Sequence, residues 1–176
     1  AQTLETISSG ELKQSFSAFK VEQTFDQYLE RISGKTASLF SMAAESGAVL
    51  SQAPEEQVQI LKEYGLNLGI AFQIVDDVLD FIGAEEELGK PVGSDLIQGT
   101  ITLPSLLLLD LYPQDNPVRR LFQGEGDRQE NIRNAIELAS NAEIIDKCYQ
   151  LASDYCSRAC QGFDRLPDKS SRKVLL

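Results

Sequence analysis

The residues from Phe72 to Phe81, Phe-Gln-Ile-Val-Asp-Asp-Val-Leu-Asp-Phe, set three carboxylates and one amide among apolar side chains. On a helix, Gln73, Asp76, Asp77 and Asp80 share an arc of about 100°, at roughly 100° per residue. The rest of the circumference carries Phe72, Ile74, Val75, Val78, Leu79 and Phe81, which predicts a helix buried nearly all round. Buried carboxylates are costly unless compensated, and no basic residue lies within one turn of these. Carboxylate oxygens are the ligands Mg²⁺ prefers, and Mg²⁺ is usually completed by water and substrate phosphates. The spacing therefore suits a metal-bridged diphosphate. The competing reading is a solvated acidic face, and the apolar ring argues against it. The Asp-x-Asp-x-Asp-Gly spacing of a calcium loop is missing.

Two lysines could serve such a site. Lys35 lies among small and apolar residues in Gly34-Lys35-Thr36, and Lys90 follows the acids in Gly89-Lys90-Pro91. Either could hold a phosphate as a point charge, and either alone reads equally well as a surface lysine. Cys148, Cys156 and Cys160 are spaced by whole helical turns, which fits small core residues better than a metal site.

The elements that must position these residues read as helices throughout. Leu4, Ile7, Leu12 and Phe16 form a short amphipathic pattern. Thr24 with Gln27 is a capping box that opens a helix running past Lys35 toward Leu50. Pro54-Glu55-Glu56 opens a second long helix that ends at Gly83. Gly65 and Gly69 are unexpected inside it, each costing about 1 kcal/mol relative to alanine. Gly69 shares a face with Gln73 and Asp76, which leaves room for a ligand or a neighbouring helix. Ala84 to Ile101 reads as a long irregular segment, and loops of that length are usually functional or disordered. Thr102-Leu103-Pro104 restarts a helix whose residues from Ser105 to Tyr112 should be buried. Further helices are expected over Asn116–Phe122, Asp127–Ala139 and Ala142–Phe163. No segment alternates with the period of a strand, so the expected class is all-α.

Composition removes other functions. The chain has 176 residues, no histidine and a formal net charge of −11. The charge disfavours nucleic-acid binding, and the lack of histidine excludes His-based triads and His-ligated zinc. An odd cysteine count, no signal pattern and no span-length apolar run predict a soluble, cytoplasmic protein without a transmembrane segment. The N-terminus starts in helical pattern without a capping preamble, as though something preceded it.

Taken together, Gly34-Lys35-Thr36-Ala37-x-Leu39-Phe40, then Gly69-x-x-Phe72-Gln73-x-x-Asp76-Asp77-x-x-Asp80, then Gly89-Lys90-Pro91-x-Gly93-x-Asp95-Leu96-x-x-Gly99-x-x-Thr102-Leu103-Pro104 resemble the C-terminal half of a trans-polyprenyl diphosphate synthase. The motifs cover about residues 1–110; the remainder agrees in helical pattern only. The resemblance implies an all-α bundle of the isoprenoid synthase type, with residues 1–176 as the C-terminal portion of a single polyprenyl synthase domain. It implies a prenyltransferase of isoprenoid biosynthesis that adds isopentenyl diphosphate to an allylic diphosphate, with Mg²⁺ as cofactor and a homodimer as the assembly. Asp76, Asp77 and Asp80 would be the metal ligands of the second aspartate-rich motif. Lys35 and Lys90 would contact the allylic diphosphate, Gln73 and Thr36 would line the reacting region, and Asp76, Asp77 and Lys35 would carry catalysis.

Two departures qualify that expectation. Thr100 stands where the family often has a lysine. The family's first aspartate-rich motif, its upstream arginine pair and its Gly-x-Lys element are absent, and Arg119-Arg120 falls in a different helical context. The chain alone is therefore expected to be inactive. A non-catalytic helical partner subunit and a terpene cyclase-like protein are the alternatives; the intact acidic face disfavours the first, and the Lys-Thr and Phe-Gln-x-x-Asp-Asp signals disfavour the second.

Overall fold

The computed structural model describes residues 18–84, 89–168 and 170–175. The amphipathic pattern expected over Leu4 to Phe16 lies outside the described residues. Helices run over Phe25–Ile32 (α1), Ser38–Leu50 (α2), Glu55–Ile82 (α3), Ser94–Ile97 (α4), Leu103–Leu111 (α5), Pro117–Gln123 (α6), Arg128–Ala139 (α7), Ala142–Ala159 (α8) and Ser170–Leu175 (α9). No strand occurs among the described residues.

Local chemistry sets the boundaries. Thr24 and Gln27 cap α1 reciprocally, with Gln27 N–H donating to Thr24 Oγ1 at 3.2 Å and Thr24 N–H to Gln27 Oε1 at 3.0 Å. Asn116, Asp127 and Asn141 cap α6, α7 and α8 through their side-chain oxygens. Asn116 is also fully buried, and its amide donates to the Leu108 carbonyl at 2.9 Å and the Tyr112 carbonyl at 3.1 Å. It thereby satisfies two carbonyls at the end of α5 while starting α6.

The centre is α3, packed lengthwise against α2 on one side and α8 on the other. Its two interior glycines are explained by close helix contact. A Cβ at Gly65 would stand 2.5 Å from the Phe40 carbonyl oxygen, and one at Gly69 would stand 2.5 Å from Ala37 Cα. The core joins Tyr28 and Ile32 of α1 to Ile74, Val78 and Phe81 of α3, then to Leu103 and Leu108 of α5 and Ile144 and Cys148 of α8. Each large apolar side chain fully buried there contributes about 1.5–3 kcal/mol.

Five expectations need correction. The helix over Thr24 to Leu50 is not uniform: Ser33–Ala37 forms a π-helical turn between α1 and α2. The Ser38 N–H reaches back five residues to the Ser33 carbonyl, and the Ser38 hydroxyl takes up the bypassed Gly34 carbonyl at 2.7 Å. The acidic helix is not buried all round, because Leu66, Phe72, Leu79 and Ile82 are exposed along α3. Residues 84–101 are not wholly irregular but carry α4. The end of α5 is not interior, since Leu111 and Tyr112 are exposed. Of the cysteines, Cys148 is buried and Cys156 exposed, so the core reading fits the first and not the second.

Candidate active site

The π-helical turn matters because of what it carries. Lys35 and Thr36 sit in its widened turn, whose last residue, Ala37, meets Gly69 of α3 where the absent side chain lets the two backbones approach. The Thr36 hydroxyl donates to Gln73 Oε1 at 2.7 Å. The Gln73 amide then donates to Asp77 Oδ1 at 2.9 Å and to Asp76 Oδ2 at 3.1 Å. The opposite oxygen of Asp77 accepts from the Tyr28 hydroxyl at 2.8 Å. A hydrogen-bonded chain thus runs Tyr28, Asp77, Gln73, Thr36, crossing from α1 to α3 and back to the π turn.

The three aspartates have three environments. Asp76 is exposed, whereas Asp77 and Asp80 are 2% and 1% exposed. Asp80 pairs with the ammonium of Lys90 at 2.9 Å and accepts the Asp95 N–H at 3.1 Å. Its carbonyl accepts the Gly93 N–H at 2.7 Å, fixing the 89–95 segment to the end of α3. Gly93 adopts φ of 70°, the left-handed region that favours glycine, where the segment turns into α4.

Electrostatics follow from this burial. Burial pushes the Asp77 carboxyl up to about 7, although hydrogen bonds from Gln73 and Tyr28 favour its ionised form. The Tyr28 hydroxyl is held well above the ordinary tyrosine value by burial and by the charge of Asp77. The Asp95 carboxyl is raised by burial and by the charge of Asp80, with Asp76 adding to it and Lys90 and Lys35 opposing. The Lys90 ammonium is raised by its bond to Asp80. Negative charge is therefore crowded around Asp76, Asp80 and Asp95, and a divalent cation would relieve it.

A cavity of about 180 Å³ is lined by Arg31, Ile32, Lys35, Thr36, Gln73, Asp76, Asp77, Lys90, Asp95, Thr100 and Thr102. It gathers the sequence-predicted residues Lys35, Thr36, Gln73, Asp76, Asp77 and Lys90; Asp80 touches it through Lys90. Among the described residues no three His, Cys, Asp or Glu side chains converge as a closed metal cage. The donor set fits a cation that keeps waters and takes substrate oxygens, as Mg²⁺ does, rather than one enclosed by protein.

Sequence reasoning missed Tyr28 and Arg31. Arg31 is buried, donates to the Ile101 carbonyl and to Gln23 Oε1, and lies 5.6 Å from the Tyr28 ring centroid. The available signal was spacing, since Tyr28, Arg31 and Lys35 recur at intervals of three and four on one helical face.

The helical bundle gathers lysines and carboxylates at one cavity, a set that can bind an anion through charge and a cation through oxygen. The polyprenyl synthetase family model matches residues 1–139. A prenyl transferase of Synechocystis sp. is 38% identical over 176 residues, covering 100% of this chain and 54% of that protein. The crystal structure of heptaprenyl diphosphate synthase from Staphylococcus aureus superposes with a TM-score of 0.91 at 37% identity, over 99% of this chain and 55% of that one. Polyprenyl synthase from Caulobacter crescentus, solved in complex with calcium and isoprenyl diphosphate, gives a TM-score of 0.90 at 34% identity, over 99% of this chain and 54% of that one. The chain belongs to the polyprenyl synthetase family, and its fold is the all-helical isoprenoid synthase fold. It spans about half the length of the relatives it matches. Among the described residues no helix is long and apolar enough to cross a membrane.

Proposed function

We propose that this chain supplies one side of a prenyltransferase site that extends an allylic diphosphate with isopentenyl diphosphate. The observation that carries the reading is the cavity that gathers Lys35, Thr36, Gln73, Asp76, Asp77 and Lys90 from three separated stretches of chain. The diphosphate and divalent cation in the related Caulobacter crescentus structure support it.

Lys35 and Lys90 donate to the oxygens of the allylic diphosphate. Asp76, Asp77 and Asp80 would hold Mg²⁺, with Asp76 and Asp77 on the cavity wall and Asp80 beside it at Lys90. The bound ion neutralises charge on the departing diphosphate. Lys90, paired with Asp80 at 2.9 Å and on the wall of the same cavity, would be within reach of both a metal held by the aspartates and the diphosphate. The allylic C–O bond breaks with its electron pair going to the diphosphate. The alkene of isopentenyl diphosphate attacks the allyl carbon, a C–C bond forms, and the proton lost from the adduct passes to the diphosphate oxygen. No protein acid–base pair is required. In the complete synthase the assembly is a cytoplasmic homodimer.

The 176-residue chain should bind an allylic diphosphate in a Mg²⁺-dependent manner yet make no product by itself. A prenyl-transfer assay with Mg²⁺, farnesyl diphosphate and isopentenyl diphosphate tests this; robust elongation by the chain alone would overturn the half-site account. Grafting the 176 residues in place of the aligned segment of the Synechocystis relative should give Mg²⁺-dependent elongation.

A further inference from the structure

We infer that Tyr28 is a positioning residue of this site: through Asp77 it fixes the orientation of the Gln73 amide, and with it the polar groups that Gln73 and Thr36 turn toward the cavity. The inference rests on the reading of the cavity as a diphosphate site.

Tyr28 is fully buried, and its hydroxyl spends its hydrogen on Asp77 Oδ2 at 2.8 Å. Burying a hydroxyl is costly unless it makes a bond, and a phenylalanine would fill the same space without that cost. The hydroxyl is thus retained for what it holds. Asp77 is held on both sides, because Oδ1 takes the Gln73 amide at 2.9 Å. This separates it from exposed Asp76, which keeps lone pairs for a cation.

The Gln73 amide has two orientations of nearly identical shape. Carboxylates only accept, and two of them, Asp76 and Asp77, face its nitrogen, while the Thr36 hydroxyl donates to its oxygen at 2.7 Å. A turned amide would set its oxygen against both acids. The placement of the acceptor oxygens of Asp76 and Asp77 beside its nitrogen, with the Thr36 hydroxyl at its oxygen, therefore selects the orientation, and Tyr28 keeps Asp77 in place. Arg31, 5.6 Å from the Tyr28 ring and bonded to the Ile101 carbonyl, packs this arrangement against the 100–102 segment.

The test follows the side-chain amide resonances of Gln73 in the ¹⁵N-labelled chain, assigned by their loss in Gln73→Leu, together with farnesyl diphosphate affinity in Mg²⁺. In Tyr28→Phe the Gln73 resonances should shift or broaden, and the affinity should fall about tenfold well below the melting temperature. Wild-type resonances and affinity beside a lowered melting temperature would show a merely structural tyrosine and overturn the inference. Absence of wild-type binding would overturn the diphosphate reading, while the resonances would still decide the positioning claim. Should Tyr28→Phe not fold, Asp77→Asn serves instead. It must turn its NH₂ either toward Gln73 or toward the Tyr28 hydroxyl, so the hydrogen bonds linking Tyr28 to Gln73 change in either setting; unchanged Gln73 resonances there would overturn the inference.

Discussion

The Lys90 ammonium lies 2.9 Å from Asp80 Oδ1, joining the end of the central helix to the segment that follows it. Asp80 is buried and Lys90 is about one-third exposed, so the pair is screened only from one side. Removing one partner of a fully buried pair costs about 3–5 kcal/mol, and the exposure of Lys90 reduces that here to about 1–2 kcal/mol. Lys90→Met should lower stability by that amount in denaturant unfolding. Adding Asp80→Asn should restore most of it, because the uncompensated charge is gone. Both variants should bind an allylic diphosphate more weakly than the wild type.

Asp76 separates function from folding. It is exposed and accepts a hydrogen bond from the Gln73 amide. Asp76→Ala should change the unfolding free energy by less than about 0.5 kcal/mol. The same substitution in the grafted synthase should reduce turnover by roughly a hundredfold or more, as expected when a metal ligand at a developing charge is lost. Kinetics of the graft beside thermal unfolding of the chain checks both halves.

Gly69 couples packing to the site. A side chain there would press on Ala37 Cα, at the end of the turn that presents Thr36. Alanine gains about 1 kcal/mol of helix propensity, but overpacking against backbone costs about 1–3 kcal/mol. Gly69→Ala should therefore be net destabilising and should displace Thr36 from Gln73, seen as a changed Gln73 amide resonance.

Asp77 gives the chain a pH signature. Its carboxyl has a folded value of about 7 against an ordinary value of 3.8. The folded state therefore holds a proton that the unfolded chain has already released. This contribution to stability is full below the ordinary value, declines as pH rises, and is gone above about 7. Asp77→Asn, which does not titrate, should flatten the fall in stability between about pH 4 and pH 7 relative to wild type. Denaturant midpoints across that range measure it.

The limits of the sequence follow from where each constraint lies. The capping box at Thr24 and Gln27, the proline start before Glu55 and the arc of Gln73 with its acids are local patterns, and they were readable. The π turn at Ser33–Ala37 was not, because it is set by the approach of Ala37 to Gly69 on another helix. The compensation of the acids was equally hidden. No base lies within a turn of them in sequence, yet Lys90 and Arg31 arrive from the 89–95 segment and from α1. Phe72 and Leu79, exposed on α3, read as core in the sequence because periodicity reports apolar faces and not what covers them.

Calorimetric titration of the 176-residue chain with farnesyl diphosphate, in Mg²⁺ and again in EDTA, tests the half-site most directly. The account predicts binding that requires Mg²⁺ and is lost in Asp76→Ala. Binding that is indifferent to Mg²⁺, or equal in wild type and Asp76→Ala, would contradict it.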